Sequence, residues 1–242
     1  MSNVENIAMP REINITMDEA RALVADRALW PLVRDFLWDF APQVHESWLE
    51  GLGREGESAS AHVSRLMSSP RVKRFVLSEL GVTPCLHAFP KDDWSRLVLL
   101  DGATLESIAK WLGALACADS LRRVTSGATV RELKATLHGI YPEVFGYTMY
   151  FKGIDFQRRD AEKQRDYFGN GEVVAQEGTA ILLHVLSGLP NQLISRLKLK
   201  LPKALCASPS LREAKNSSAN VQAALAKLLK LKFPEAYKIC CL

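Results

Sequence analysis

Apolar side chains recur at helical spacing along almost the whole chain, and prolines and glycines punctuate them. After the capping box Thr16-Met17-Asp18-Glu19, Ala20, Leu23 and Val24 fall on one helical face. Pro31 suits a first helical turn, where its missing N–H costs nothing, and Leu32, Val33, Phe36, Leu37 and Phe40 follow it. Pro42 predicts another short helix through His45, Trp48 and Leu49, and the glycine-rich stretch 51–60 predicts a loop. Residues 62–80 read as a helix broken near Pro70 and closed by Gly81 as a left-handed cap. Residues 82–93 show no period.

The most apolar helix is central. It starts at Asp101 or Thr104 and carries Leu105, Ile108, Ala109, Leu112, Leu115 and Ala116 on one face. Trp111, Ala114, Cys117 and Ala118 cover much of the rest, which places it in a core. Gly113 and its alanine neighbours predict a close approach by another helix. Arg122 and Arg123 close the helix, where cations suit the dipole, and Thr125-Ser126-Gly127 breaks it. Val130, Leu133 and Leu137 define a helix ended by Gly139. Pro142 opens the next, rich in aromatics: Phe145, Tyr147, Tyr150 and Phe151, with Met149 among them. The charged stretch 157–170 predicts a solvated helix or an insertion. Residues 179–187 read as a helix stopped by Gly188, and Pro190 starts another with Leu193, Ile194, Leu197 and Leu201.

Near the end, Leu199-Lys200-Leu201-Pro202-Lys203-Ala204 is echoed by Leu231-Lys232-Phe233-Pro234-Glu235-Ala236, across a linker at 208–220. Two copies do not make a solenoid. Each sets a lysine-bearing helix end before a proline that blocks extension. The expected fold class is mainly α, a compact multi-helix globular fold around the buried central helix, with little or no β.

A chain of 242 residues, 48% hydrophobic and 24% charged, has ordinary globular composition and can bury a sizeable core. Asp101, Glu106, Lys110 and Asp119 interrupt its longest apolar run, so no membrane-spanning helix is expected. The N-terminus lacks the basic and apolar regions of a secretory signal. Five scattered cysteines point to reduced thiols rather than a disulfide framework. The net charge of +4 hides a gradient. Residues 1–60 hold five Lys and Arg against eleven Asp and Glu, whereas 190–242 hold ten against two. Either the acidic and basic ends serve charged partners, or they neutralise each other or form solvated faces.

No catalytic constellation is legible. The five histidines, His45, His62, His87, His138 and His184, show no metal-helix spacing. His184 reads as a hydrogen-bonded core histidine. Cys85-Leu86-His87 lacks a second ligand pair, the glycines form no phosphate loop, and Asp92-Asp93 point apart. No enzyme activity, cofactor or metal is expected. The lysine-rich LKLKL and LLKLK segments suit phosphates or an anionic surface, or else a leucine core face with lysines in water. A basic helical nucleic-acid binder is thus the alternative reading, although aromatics for stacking are scarce there.

Several stretches match, in order, one known family. They are Phe40-Ala41-Pro42, His45 and Ser47-Trp48-Leu49; then Trp94-Ser95-Arg96-Leu97, Leu99-Leu100 and Leu112-Gly113-Ala114-Leu115. Leu121-Arg122-Arg123-Val124 and the stretch from Gly127 through Val130 to Leu133 follow. Leu189-Pro190 and the run from Arg196 to Pro202 complete the set. In this order the chain resembles the SctK proteins of bacterial type III secretion. The resemblance implies one helical domain over 1–242 with an acidic subregion at 1–60 and basic helices at 190–242. It implies a non-enzymatic adaptor in the bacterial cytoplasm, at the inner-membrane face of the injectisome base. Its partners would be the cytoplasmic domain of the ring protein SctD and the pod protein SctQ, and through these the stator SctL and the ATPase SctN, with no nucleic acid. Membrane association would be peripheral, through SctD. The expected partner-binding residues are Arg122, Arg123, Lys198, Lys200, Lys230 and Lys232.

Overall fold

The computed structural model describes Arg21 and residues 27–50, 69–82, 87–90, 94–151, 170–207 and 218–241. The capping box at Thr16, the loop at 51–60, Cys85 and most of the 157–170 and 208–220 stretches lie outside the described residues. Within them the fold is mainly α, and no strand occurs. Helix α1 (Trp30–Trp38) carries Pro31 in its first turn and buries Val33 and Phe36. Instead of one helix after Pro42, two 3₁₀ turns follow, Ala41–Gln43 and Glu46–Trp48, separated by extended Val44. Helix α2 (Pro70–Glu79) ends at Gly81, whose φ of 66° is the left-handed conformation its sequence predicts.

A 3₁₀ segment, Trp94–Leu99, then enters the core and is buried from Ser95 onward. Helix α1, the helix at Asn191–Lys200 and the C-terminal helix at Pro234–Cys241 all pack on it. Helix α3 (Gly102–Ala116) begins where Asp101 caps it: the Thr104 N–H donates to the carboxylate at 2.8 Å, and the Thr104 hydroxyl at 2.7 Å. It is apolar nearly all round and correspondingly buried. The helical run breaks at Cys117, before the short piece Ala118–Leu121. Helix α4 (Gly127–Thr136) and helix α5 (Ile140–Tyr147) follow, then a 3₁₀ turn, Thr148–Phe151. The left-handed residue between α4 and α5 is His138, φ 45°, not Gly139, whose φ is −65°.

Helix α6 (Gly171–Val185) is longer than its sequence pattern indicates. Asn170 caps it by accepting the Glu172 N–H at 2.8 Å. It is the main partner of α3. The contact is backbone to backbone, because Gly113 of α3 faces Gly178 of α6. A Cβ on Gly113 would stand inside contact distance of the Val174 carbonyl oxygen, and one on Gly178 would meet the Ala109 carbonyl oxygen. His184 is half-buried on α6, and among the described residues its Nε2 meets no hydrogen-bond partner, whereas its sequence context predicts a hydrogen-bonded core histidine.

Helix α7 (Asn191–Lys200) leads through Pro202 into the short helix Lys203–Cys206. Helix α8 (Ser218–Lys232) leads through Pro234 into helix α9 (Pro234–Cys241). The echoed motif therefore has one architecture in both copies: a helix end, a proline and a new helix. No helix among the described residues is long and apolar enough to cross a membrane.

Candidate functional site

The cations fall into two groups, one inside the fold and one on an aromatic strip at its surface. The inner group belongs to α7 and the 3₁₀ segment. Arg196 and Lys200 lie four residues apart, on the same helical face as Leu193 and Leu197, and all four are buried. The Arg196 guanidinium donates to the carbonyls of Phe36 and, at 3.2 Å, Leu37. It stands 5.5 and 5.3 Å from the ring centres of Phe36 and Phe40. Lys200 Nζ donates to the Val98 and Leu100 carbonyls at 2.7 and 2.8 Å, 4.9 Å from the Phe36 ring centre. Arg96, fully buried, donates from Nε to the Pro90 carbonyl at 2.9 Å and from Nη1 to the Ile239 carbonyl at 3.4 Å. These charges spend their hydrogens on main-chain carbonyls and their faces on rings.

The same junction joins stretches about 150 residues apart in sequence. The His45 N–H donates to the Leu199 carbonyl at 2.8 Å, and Trp48 Nε1 to the Leu201 carbonyl at 2.8 Å. The Ser47 hydroxyl accepts the Lys203 N–H at 2.9 Å. Lys203 Nζ stands 5.7 Å from the Trp48 ring centre. The N-terminal and C-terminal stretches that carry the family resemblance are thus each other's packing partners.

The outer group surrounds the strip from Tyr141 to Phe151. Arg122 Nη2 donates to the Thr148 hydroxyl at 2.6 Å, with the guanidinium 5.6 Å from the Phe145 ring centre. Lys232 sits in a cage, 4.3 Å from the Tyr147 ring centre and 4.8 Å from that of Trp111, and is ion-paired to Glu143. Lys227 Nζ donates to the Tyr150 carbonyl at 2.7 Å and stands 5.4 Å from its ring centre. Lys200 and Lys232 occupy the same position in the echoed motif, and each ends on an aromatic face.

The six residues singled out from sequence do not form one surface. Arg122, Arg123, Lys198 and Lys230 are exposed. Lys200 is 1% exposed, so its ammonium faces the core and is not presented to a partner. Lys232 is half-buried and already engaged. Lys227, which sequence reasoning missed, projects beside the strip; its only signal was its place one turn before Lys230 and Leu231.

Electrostatics follow burial. Burial pushes the Lys200 amine down to about 7; the Asp101 carboxylate pulls it back up and Arg196 pushes it further down. Burial would raise the Asp101 carboxyl, but its Thr104 hydrogen bonds and Lys200 hold it below its usual value. Burial also pushes the Cys206 thiol up to about 11, against the pull of Lys198, which makes it a poor nucleophile. Burial would lower Lys232, but Glu143 and Tyr147 outweigh it and raise the group above its ordinary value. Lys232→Ala should therefore cost about 0.5–2 kcal/mol, the range for a cation on aromatic faces. Lys230→Ala should change stability by less than about 0.5 kcal/mol. Urea denaturation of both variants checks this, and equal midpoints would remove the cage from the fold's supports.

The family described as "YOP proteins translocation protein K (YscK)" matches residues 35–242 of this chain. No curated protein and no solved structure matches it.

Proposed function

The chain belongs to the YscK family of type III secretion proteins, and from that premise we propose that it is a non-enzymatic adaptor of the injectisome's cytoplasmic sorting platform. In this role it links the cytoplasmic domain of the inner-membrane ring protein SctD to the pod protein SctQ. SctQ connects onward through SctL to SctN, and the adaptor sits at the cytoplasmic face of the inner membrane through SctD. The observation that carries the reading is the family match, which runs through both the buried junction and the aromatic strip.

The chemistry of the fold supports it. Lys200 is tied into the core, Asp101 caps α3 and Lys232 sits in its aromatic cage. Exposed cations lie on different parts of the chain: Arg122 and Arg123 after the short helix Ala118–Leu121, Lys198 on α7 and Lys230 on α8. An adaptor needs separate faces more than it needs a pocket.

Co-purification of the full chain with the SctD cytoplasmic domain and with SctQ from the same organism tests this. Both should be retained, and together they should form a ternary complex. Retention of neither removes the reading. A salt-dependent mobility shift of generic DNA or RNA, with no retention of either protein, would put a nucleic-acid binder in its place.

A further inference from the structure

Among the described residues, five large apolar side chains are exposed, and Lys227 connects the elements that carry three of them. Met149 is 63% exposed, Tyr150 49% and Leu231 44%. Lys227 links them: its Nζ reaches back to the Tyr150 carbonyl, and Leu231 lies one helical turn further along α8. Tyr, Met and Arg are enriched at interface cores, and a clustered apolar patch with a polar rim marks an interaction site.

The rim carries unbalanced positive charge. Among the described residues, Lys227 meets only neutral partners, a carbonyl and the Tyr150 and Phe151 rings. Asp119 reaches Arg122 at only 3.4 Å, and Glu143 is already committed to Lys232. Lys230 adds a further exposed cation on α8. Arg122 and Lys227 are also held in place over rings. Holding them costs a partner less side-chain entropy than ordering a free lysine would.

We infer that Met149, Tyr150 and Leu231, ringed by Arg122, Lys227 and Lys230, form a docking surface for an acidic protein segment. That segment carries an apolar side chain, which enters beside Met149, and flanking carboxylates, which meet the three cations. A nucleic-acid strand fits less well. Stacking needs an open ring, and the Tyr150 ring already has Lys227 against it, while Met149 and Leu231 offer no flat face.

The choice of SctD and SctQ as test partners rests on the adaptor reading; the surface itself does not. The wild-type chain and the variants Met149→Glu and Lys227→Glu are titrated against each partner. Both substitutions should weaken binding to one partner at least tenfold, while the other partner and the melting temperature stay unchanged. Arg71→Glu, exposed on α2, should alter neither. If wild type binds and both variants bind equally well, the surface is wrong. A labelled peptide alternating glutamate with leucine tests the face without either partner. Wild type should retain it and the double variant should not, whatever becomes of the adaptor reading; equal retention overturns the inference. Binding of generic duplex DNA that the same substitutions abolish would overturn it as well.

Discussion

Gly178→Ala is expected to destabilise the protein by about 1–3 kcal/mol or more, and Gly113→Ala by a similar amount. Alanine is otherwise the better helix former by about 0.5–1 kcal/mol, so the contact alone decides the sign. The added methyl on Gly178 would press on the Ala109 carbonyl oxygen, with the Gly113 nitrogen 2.6 Å away. On Gly113 it would press on the Val174 carbonyl oxygen, with the Gly178 nitrogen 3.0 Å away. All of these are backbone atoms, so no rotamer change relieves the clash. The helices must move apart, and the buried faces of Leu105, Ile108, Leu112, Val174 and Leu182 lose their fit with them. For a chain of this size the melting temperature should fall by about 2–4 °C per kcal/mol. Gly146→Ala is the control. It is exposed inside α5 with nothing near the added methyl, and it should hold or raise stability. Because Gly113 and Gly178 meet, the double variant should cost less than the sum of the two. An unchanged melting temperature in Gly178→Ala would contradict the helix separation.

Lys200→Ala should cost about 2–5 kcal/mol, from the cavity left by the stem and from two carbonyls left without a donor. Lys200→Met keeps most of the volume and separates that loss from the charge. The pH dependence then reports on burial. In the unfolded chain Lys200 holds its proton up to about 10.5, whereas in the folded protein it releases it near 7. Between those values the unfolded state binds more protons, so stability rises with pH. Below about 7 both states are protonated, and the cost of burying the ammonium is fully present. As pH rises through the window that cost disappears, and the neutral amine keeps two hydrogens for the Val98 and Leu100 carbonyls. Wild type should therefore gain on Lys200→Met between pH 7 and 10, measured as the difference in their urea midpoints. A difference that does not change with pH would mean that the ammonium is not desolvated.

Much of the fold is legible along the chain because prolines and one-sided apolar patterns act locally. Pro31, Pro142, Pro190, Pro202 and Pro234 each stand where a helix starts or cannot continue. The buried helix at 102–116 and its glycine approach also follow from pattern alone. The first half of α6 does not, because Gly171 and Gly178 look like breakers until α3 is known to lie against them. The left-handed turn on His138 likewise depends on how α4 and α5 are held.

The candidate site was less legible. In the run Leu197-Lys198-Leu199-Lys200, strict alternation suggests leucines inward and lysines outward. Turning the chain by about 100° per residue instead sets Lys200 beside Leu193, Arg196 and Leu197, with Lys198 on the other side. That signal was present, but reading it requires accepting two cations on an apolar face, which only the Phe36 and Phe40 rings and the waiting carbonyls make tolerable. Lys227 carried no comparable signal, because what distinguishes it is Tyr150, on another part of the chain.

The glycine contact between α3 and α6 has a mechanical consequence. At the Gly113–Gly178 crossing the helices meet main chain to main chain, with no rotatable side chain between them to yield under load. Helix α3 is 15 residues long, about 22 Å at 1.5 Å per residue. It runs from the Asp101 cap, beside Lys200, to the break at Cys117. At that crossing a displacement of α3 should carry α6 with it, because no side chain stands there to give way.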